Sequence, residues 1–390
     1  MIAILKREWK SYFQNITGWL FIAAVLALYG LYFLAYNLRA GYPYVSYTLS
    51  AISFIMLIAV PILTMRSMAE ERHSRTDQLV LTAPVSLGKM IFGKFLAMVG
   101  VFTVAVAVIA VTPLVLAAFG TVPMGENYVA VLGFWLYGCT CIAVGMLASA
   151  LTESQVIAAV VAFAFLFLGY MMNSITGLIG DHLITKVLGA YDLYTPLQSF
   201  MSGCLDLTGV VYFVSVTALC LFLTCQCVQK RRWSMTTKKL TTGMFSVAMI
   251  VVGFAVAVAV NMVVKEMPSS WTAVDATSTK LYSLTDTTKD YVKNLSQDVT
   301  IYVLSSEKSA DSTLAETLQR YEDLSKHLNV VYKDPAKSPN FYQQYTDSAP
   351  SQNSMIVVSD ARSRVVDYSD IYEYSYDYST YSSSVDGYDA

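Results

Sequence analysis

The part of the chain that comes nearest to a known catalytic pattern is a pair of glycines followed by a lysine. The run Gly-Lys-Met-Ile-Phe-Gly-Lys-Phe over residues 88–95 has nearly the spacing of a P-loop, whose backbone and lysine bind nucleotide phosphates. Phe95 stands where a P-loop needs a serine or threonine to hold Mg²⁺, and an apolar stretch follows at once. The run is instead typical of a helix start whose lysines extend toward a membrane surface. We therefore expect no ATPase site here.

Cysteines and histidines, the usual metal ligands and nucleophiles, are too scattered to form a site. A closed zinc site needs four convergent ligands, and the Cys-x-Cys pair at 225–227 has no second pair. No cysteine follows residue 227, which excludes both a disulfide and a Cys–His nucleophile from the segment beyond it. The sequence thus predicts no catalytic residue, no cofactor and no metal. The cysteines are Cys139, Cys141, Cys204, Cys220, Cys225 and Cys227, and the histidines are His73, His182 and His327.

The composition indicates a membrane protein with two differently charged parts. Hydrophobic residues make up 55% of the chain and charged residues only 14%, outside the range of soluble globular domains. Residues 1–270 hold 16 Lys and Arg against 10 Asp and Glu, whereas residues 271–390 hold 10 against 18. Neither part has the basic stripe that nucleic acid binding requires, so we expect no nucleic acid partner.

Seven apolar stretches are long enough to cross about 30 Å of hydrocarbon as helices. None contains Lys, Arg, Asp or Glu, each of which costs about 2.5–3.5 kcal/mol at the centre of a membrane helix. A transporter driven by ions usually needs such residues inside the membrane, so any work must come from another polypeptide. The predicted spans are Thr17–Tyr36, Leu49–Met65, Phe95–Phe119, Val129–Leu151, Val156–Ile175, Val210–Cys227 and Met244–Val264.

The orientation follows from the basic residues of the short loops, which concentrate on the cytoplasmic side of membrane proteins. One side carries 13 of them and the other only Arg39 and Lys186. This asymmetry predicts a cytoplasmic N-terminus in the plasma membrane and, after seven spans, an extracytoplasmic C-terminal part. The 13 residues are Lys6, Arg7, Lys10, Arg66, Arg72, Arg75, Lys89, Lys94, Lys230, Arg231, Arg232, Lys238 and Lys239.

Segments at both ends of the chain have their own patterns. Apolar residues recur at helical spacing over residues 2–13, which predicts an amphipathic helix lying on the inner leaflet. The C-terminal part predicts strands at Val299–Leu304, Leu328–Tyr332 and Met355–Val358 and a helix at Thr313–His327, hence a small α/β domain. A tyrosine-rich run then favours either a glycan-stacking strand or a soluble edge segment. Since no closing element precedes Ala390, we expect the sequence to be incomplete there.

The segment from Arg66 to Lys94 is the longest predicted cytoplasmic stretch between two spans. Its charges are typical of a solvated loop at a membrane boundary. Its sequence, however, resembles that of the permease subunits of type-2 ABC exporters. The resemblance lies in Leu-Thr-Met-Arg-Ser-Met-Ala-Glu-Glu at 63–71, Leu-Thr-Ala-Pro-Val at 81–85 and the Gly-Lys pair at 93–94. The Gly-Met-Leu-Ala-Ser run at 145–149 is also similar to the turn between that family's fourth and fifth spans.

The C-terminal part resembles a second component. Asp-Ala-Thr at 275–277 and Leu-Tyr-Ser-Leu-Thr at 281–285 are similar to the start of the gliding-motility-associated auxiliary protein GldG, and the first part is correspondingly GldF-like. Taken by itself, the second run is a helix entry with Thr285 as N-cap. The resemblance implies a natural fusion of a permease with a non-catalytic auxiliary domain.

These observations predict a six-span permease domain at 1–232, a cytoplasmic linker and seventh span at 233–265, and an extracytoplasmic GldG-like α/β domain at 266–390. The resemblance implies an ATP-driven exporter, a second permease unit and a separate cytoplasmic ATPase, with the apolar stretch 176–208 at the exit. The alternative is a non-transporting scaffold or sensor with a ligand-binding outer domain. The residues predicted to couple to the ATPase are Glu70, Glu71, Arg72 and Asp77.

Overall fold

The computed structural model of the chain describes residues 2–74, 86–179, 189–231, 239–265, 267, 272–275, 285–306, 309–359, 362–377 and 382–388. The chain divides into two compact units. The first consists of Met1–Ser202 with Asp206–Glu266, and the second of Gly203–Leu205 with Met267–Ala390.

The first unit is helical. Its helices are α1 (Ile2–Gln14), α2 (Ile16–Phe33), α3 (Ser46–Thr64), α4 (Arg66–His73), α5 (Leu87–Ile109), α6 (Thr112–Ala117), α7 (Met124–Leu151), α8 (Gln155–Ile179), α9 (Thr195–Met201), α10 (Leu207–Arg231) and α11 (Lys239–Lys265), and a π-helical turn, Leu34–Arg39, continues α2. Among the described residues, seven helical segments are long and apolar enough to cross a membrane. The prediction of a polytopic helical fold with seven candidate spans is confirmed.

Helix α7 lies at the centre of this unit, and 78% of its apolar window is buried. It contacts α3, α5, α8 and α10. Two of its glycines permit the close approach of neighbouring helices: a Cβ on Gly138 would lie 2.2 Å from Phe102 Cε1, and one on Gly145 would lie 2.3 Å from Thr64 Oγ1. Small residues at such crossings are the usual basis of helix packing where no hydrophobic effect acts between helices.

Polar side chains also connect the helices. Thr140 of α7 and Thr217 of α10 are hydrogen-bonded at 3.1 Å, and Asn261 of α11 donates to Ser215 Oγ of α10 at 2.7 Å. At one end of the bundle, Asn127 Oδ1 accepts from the Val45 amide at 2.6 Å. Groups that would otherwise lack a partner in an apolar interior are satisfied by these bonds.

The second unit contains a four-stranded mixed sheet. The elements of this part are β1 (Cys204–Asp206), β2 (Ala273–Asp275), α12 (Asp286–Lys293), β3 (Val299–Val303), α13 (Ser312–Leu324), β4 (Leu328–Tyr332), β5 (Met355–Ser359), β6 (Ser363–Val366), β7 (Tyr372–Asp377) and β8 (Ser382–Tyr388). The order in the sheet is β4-β3-β5-β6, with β3 and β4 parallel and the other pairs antiparallel. Strands β1 and β2 form a separate two-stranded sheet, and β7 pairs with β8.

The core of this unit lies between the sheet and its helices. Val303, Leu314 and Leu318 are buried in it, because α13 crosses over from β3 to β4 with its apolar stripe facing the strands. The predicted strand–helix–strand order is confirmed, and β4 has the predicted bounds. Thr285 accepts a hydrogen bond from the Thr288 amide, as an N-cap does. Helix α12 follows this predicted helix entry. The patterns missed β6 and β8, and residues 276–284 of the GldG-like run lie outside the described residues.

Replacing Gly145 by alanine is expected to destabilise the helical unit, because the new methyl group would overlap Thr64, a buried side chain branched at Cβ that cannot turn away. Overpacking of this kind costs about 1–3 kcal/mol. Thermal unfolding of the detergent-solubilised chain measures the effect. Gly177→Ala is the matched control, since no atom lies within 4 Å of its added Cβ. Equal unfolding midpoints for the two variants would contradict this account of the α3–α7 contact.

Candidate functional site

A distant serine holds the junction between the second span and α4. Helices α3 and α4 meet at Met65, and Ser149 Oγ of α7 accepts from the amides of Met68 and Ala69, each at 3.1 Å. The same hydroxyl donates to the Met65 carbonyl at 3.0 Å. Met65 itself keeps a helical conformation, and its amide donates to the Pro61 carbonyl at 2.9 Å. Ser149 therefore attaches the start of α4 to α7.

The two adjacent glutamates of α4 have different environments. The Glu70 side chain is 48% exposed and pairs with Arg66 at 3.2 Å, one turn away on the same helix. The Glu71 side chain is only 20% exposed and faces α5. Consecutive residues on a helix point about 100° apart, so one of the pair can face solvent while the other faces a neighbouring helix. Of the predicted coupling residues, Glu70 thus faces outward and Glu71 faces inward.

The remaining predicted coupling residues are Arg72 and Asp77. Arg72 Nη2 lies 2.6 Å from Glu153 Oε1, in the turn that follows α7, and Nη1 donates to the Leu151 carbonyl at 3.4 Å. These contacts connect the C-terminal end of α4 to the turn between α7 and α8. Asp77 lies outside the described residues.

Lys94 is the inward partner of Glu71. Its side chain is 3% exposed, and Nζ lies 2.6 Å from Glu71 Oε1, 3.0 Å from the Ser67 carbonyl and 3.6 Å from Glu8 Oε1. An ammonium group has three donors, so the two α4 acceptors and the nearby Glu8 carboxylate surround it with compensating oxygens. The expectation that this lysine extends toward a membrane surface is wrong, because these carboxylates attract it inward. The expectation of a loop over 66–94 is likewise wrong at both ends, where α4 and α5 are helical.

Arg7 completes this group, which we call the ion cluster: Arg7, Glu8, Glu71 and Lys94. Arg7 Nη2 lies 2.6 Å from Glu8 Oε1 and 3.6 Å from Glu71 Oε1. The hydrogen bond to the Glu8 carboxylate raises the pKa of Arg7 above its ordinary value, with smaller contributions from the charges of Glu8 and Glu71. Two cations and two anions are therefore balanced across α1, α4 and α5.

Two tryptophan side chains also hold helix α1 on the bundle. The indole of Trp9 lies so close to α5 that a Cβ on Gly100 would be 1.7 Å from its Cζ3 atom. Trp19 Nε1 of α2 donates to the Phe13 carbonyl at 3.0 Å. The predicted amphipathic helix is present as α1, and part of its apolar face contacts protein; its place on the inner leaflet stays a prediction.

The structure also locates the P-loop-like run and the candidate metal ligands. Gly88 and Gly93 lie inside the continuous helix α5, so the P-loop-like run forms no phosphate-binding loop. Within the described part of the chain, no group of three or more His, Cys, Asp or Glu residues could hold a metal ion. The stretch 176–208 contains the end of α8, α9 and β1, and residues 180–188 lie outside the description.

The pairing of Lys94 with Glu8 was missed by sequence reasoning, although a signal for it exists. Lys94 falls at helical spacing with Met90, Ala97, Met98 and Val101, all of them buried. A lysine on the apolar stripe of a helix must have a carboxylate partner or leave the stripe. The sequence offers several carboxylates within reach of that end of the bundle, and only the structure selects Glu71 and Glu8.

Lys94→Met is expected to lower the free energy of unfolding of the helical unit by about 3–5 kcal/mol, because Glu71 would be left as a partly buried charge without its closest cation. Thermal unfolding in detergent measures the change. Lys89→Met, the same substitution at an exposed position earlier in α5, is expected to leave the midpoint near that of the unsubstituted chain. If both variants unfold at the same temperature, the Lys94 ion pairs contribute nothing to stability.

Comparison with known families finds two matches along the chain. Residues 39–228 match the family described as ABC-2 family transporter protein, and residues 278–371 match a domain of unknown function (DUF7088). A search of curated proteins found no match to the chain. The first match covers α3 to α9 and most of α10, including α4, Lys94 and Ser149. The chain therefore carries an ABC-2-type transporter membrane domain over residues 39–228, which supports its being a membrane transporter component.

Proposed function

We propose that the chain is the permease subunit of an ATP-driven exporter and that a separate cytoplasmic ATPase supplies the work. The observation that carries this proposal is the ABC-2 transporter match over residues 39–228. The predicted spans lack acidic and basic residues, so they offer no path of ionisable groups for ion-coupled transport. Work then has to enter through a contact with another polypeptide.

The contact surface that we propose is the outward side of α4 together with the turn after α7. Arg66, Glu70, Arg72 and Glu153 present charged groups there, and the Glu70 and Glu153 side chains are 48% and 61% exposed. Ser149 and the ion cluster hold the backbone that carries these groups in one direction. A charged, preorganised surface of this kind suits a docking partner, since little ordering is needed on binding. The sequence predicts Asp77, outside the described residues, as a further coupling residue.

The finer parts of the assignment follow from the resemblance. We place the N-terminus in the cytoplasm and the second unit outside it, pair this chain with a second permease unit, and regard the whole as a GldF-like permease fused to a GldG-like auxiliary domain. The acidic second unit would then face the cell envelope as a non-catalytic domain. The basic residues of the short loops support the orientation.

Glu70→Lys is expected to reduce the amount of ATPase that co-purifies with the chain. The substitution reverses a charge on the proposed contact surface, and loss of one partner of a partly desolvated interfacial pair costs about 2–5 kcal/mol. Glu71 is left unchanged, because its substitution would also break the ion cluster. The measurement is a pull-down of the affinity-tagged full chain in mild detergent, followed by an ATPase assay.

The control for this experiment is Glu126→Lys, an identical charge reversal in the first turn of α7, at the opposite end of that helix from Ser149. Both variants should insert and express as the unsubstituted chain does. If Glu70→Lys retains as much ATPase as Glu126→Lys, the outward side of α4 is not the contact surface. If the unsubstituted chain retains no P-loop ATPase, the exporter assignment itself is contradicted.

The proposed orientation is tested by cysteine labelling in intact cells. A cysteine introduced at Ser338, an exposed position of the second unit, should react with a membrane-impermeant maleimide. A cysteine at Ser11, exposed on α1, should react only after the membrane is opened. The unsubstituted chain reports the background from its own cysteines. Equal labelling of the two positions in intact cells would overturn the topology.

A further inference from the structure

The ion cluster connects three helices that belong to different parts of the bundle. Lys94 of α5 pairs with Glu71 of α4 at 2.6 Å and with Glu8 of α1 at 3.6 Å. Lys94 Nζ also donates to the Ser67 carbonyl at 3.0 Å, so α4 is held to α5 at two points one helical turn apart. The third span thus holds the helix that carries the proposed contact surface.

This connection matters because the other printed contacts of α4 lead to a different span. Ser149 Oγ of α7 accepts from the amides of Met68 and Ala69, and Arg72 pairs with Glu153 in the turn after α7. These contacts attach α4 to α7. The Lys94–Glu71 pair adds a direct attachment of α4 to α5.

We propose that Lys94 is a positioning residue whose ion pair with Glu71 transmits a displacement of α4 to α5, the third span. The inference rests on the proposed function, since it needs an ATPase that acts on α4. Glu8 and Arg7 extend the same connection to α1, which then moves with α4 and α5. Hydrogen bonds and ion pairs suit this role because they are directional, whereas apolar contacts allow neighbouring helices to slide.

The test uses the double variant Lys94→Met with Glu71→Gln in the full chain. Removing one charge alone would leave its partner buried and uncompensated, whereas removing both separates the loss of the connection from a loss of stability. Glu8 keeps a partner in the double variant, because Arg7 lies 2.6 Å away. Lys89→Met is the matched control on the same helix, and Lys94→Arg preserves the cation.

The first measurement is hydrogen exchange of the chain alone in lipid nanodiscs. In the double variant, the amides of α4 over residues 66–73 should exchange faster than in the unsubstituted chain and in Lys89→Met. Lys94→Arg should remain close to the unsubstituted chain, because a guanidinium can also donate to Glu71. Unchanged exchange of α4 in the double variant would show that the ion pair does not hold this helix, and the proposal would fail.

The second measurement uses the complex with the co-purified ATPase, compared without nucleotide and after trapping with ATP and vanadate. The unsubstituted complex should show a nucleotide-dependent difference in exchange at residues 110–122, beyond the far end of α5. The double variant should bind the ATPase in the same ratio and lose most of that difference, while Lys94→Arg retains it. Lys89→Met should behave as the unsubstituted complex.

The outcomes separate this inference from the proposed function. If the double variant keeps the full nucleotide-dependent difference, or if Lys94→Arg loses it equally, the ion pair does not transmit the displacement and the proposal is overturned. If the unsubstituted chain binds no ATPase, or shows no difference with nucleotide, the proposed function fails and the role given to Lys94 fails with it.

Discussion

The burial of one lysine determines how the end of this helical bundle is assembled. An ammonium group that is 3% exposed needs anionic or carbonyl partners on every accessible side, because its desolvation is otherwise too costly. Glu71, Glu8 and the Ser67 carbonyl supply them, which forces α1 and α4 to lie against α5. The placement of the proposed docking helix is thus a consequence of charge neutralisation in an apolar environment rather than of local helix preference.

Other polar side chains along the helices are likewise satisfied by hydrogen bonds to neighbouring helices. Ser149 is satisfied by the Met68 and Ala69 amides and the Met65 carbonyl, and Asn261 by Ser215. Close packing connects helices as well, as at Gly145 and Thr64. In a membrane, apolar burial does not distinguish a helix neighbour from a lipid chain, so packing and polar bonds decide which helices associate. The seventh span is the opposite case, because its apolar window is 0% buried within the chain. Its helix α11 packs against α10.

The second unit follows the rules of soluble domains. Its core is formed by the apolar stripe of α13 and alternate residues of β3, with Val303 at 0% exposure. Its helix starts are capped by Asp311 and Thr285 through their own side chains. The match of residues 278–371 to a domain of unknown function assigns no chemistry to this unit, and the described residues contain no metal-binding cluster.

The sequence by itself determined the features that depend on neighbours along the chain. The seven apolar stretches, the strand at Leu328–Tyr332 and the Thr285 cap were all predictable, because hydrophobic periodicity and capping act within a few residues. The tertiary structure alone decided which member of the Glu70–Glu71 pair faces inward, since neighbouring glutamates have the same local pattern. It also decided that Ser149, 81 residues from Met68, is hydrogen-bonded to the start of α4, because contacts between distant helices leave no periodic signal in either segment.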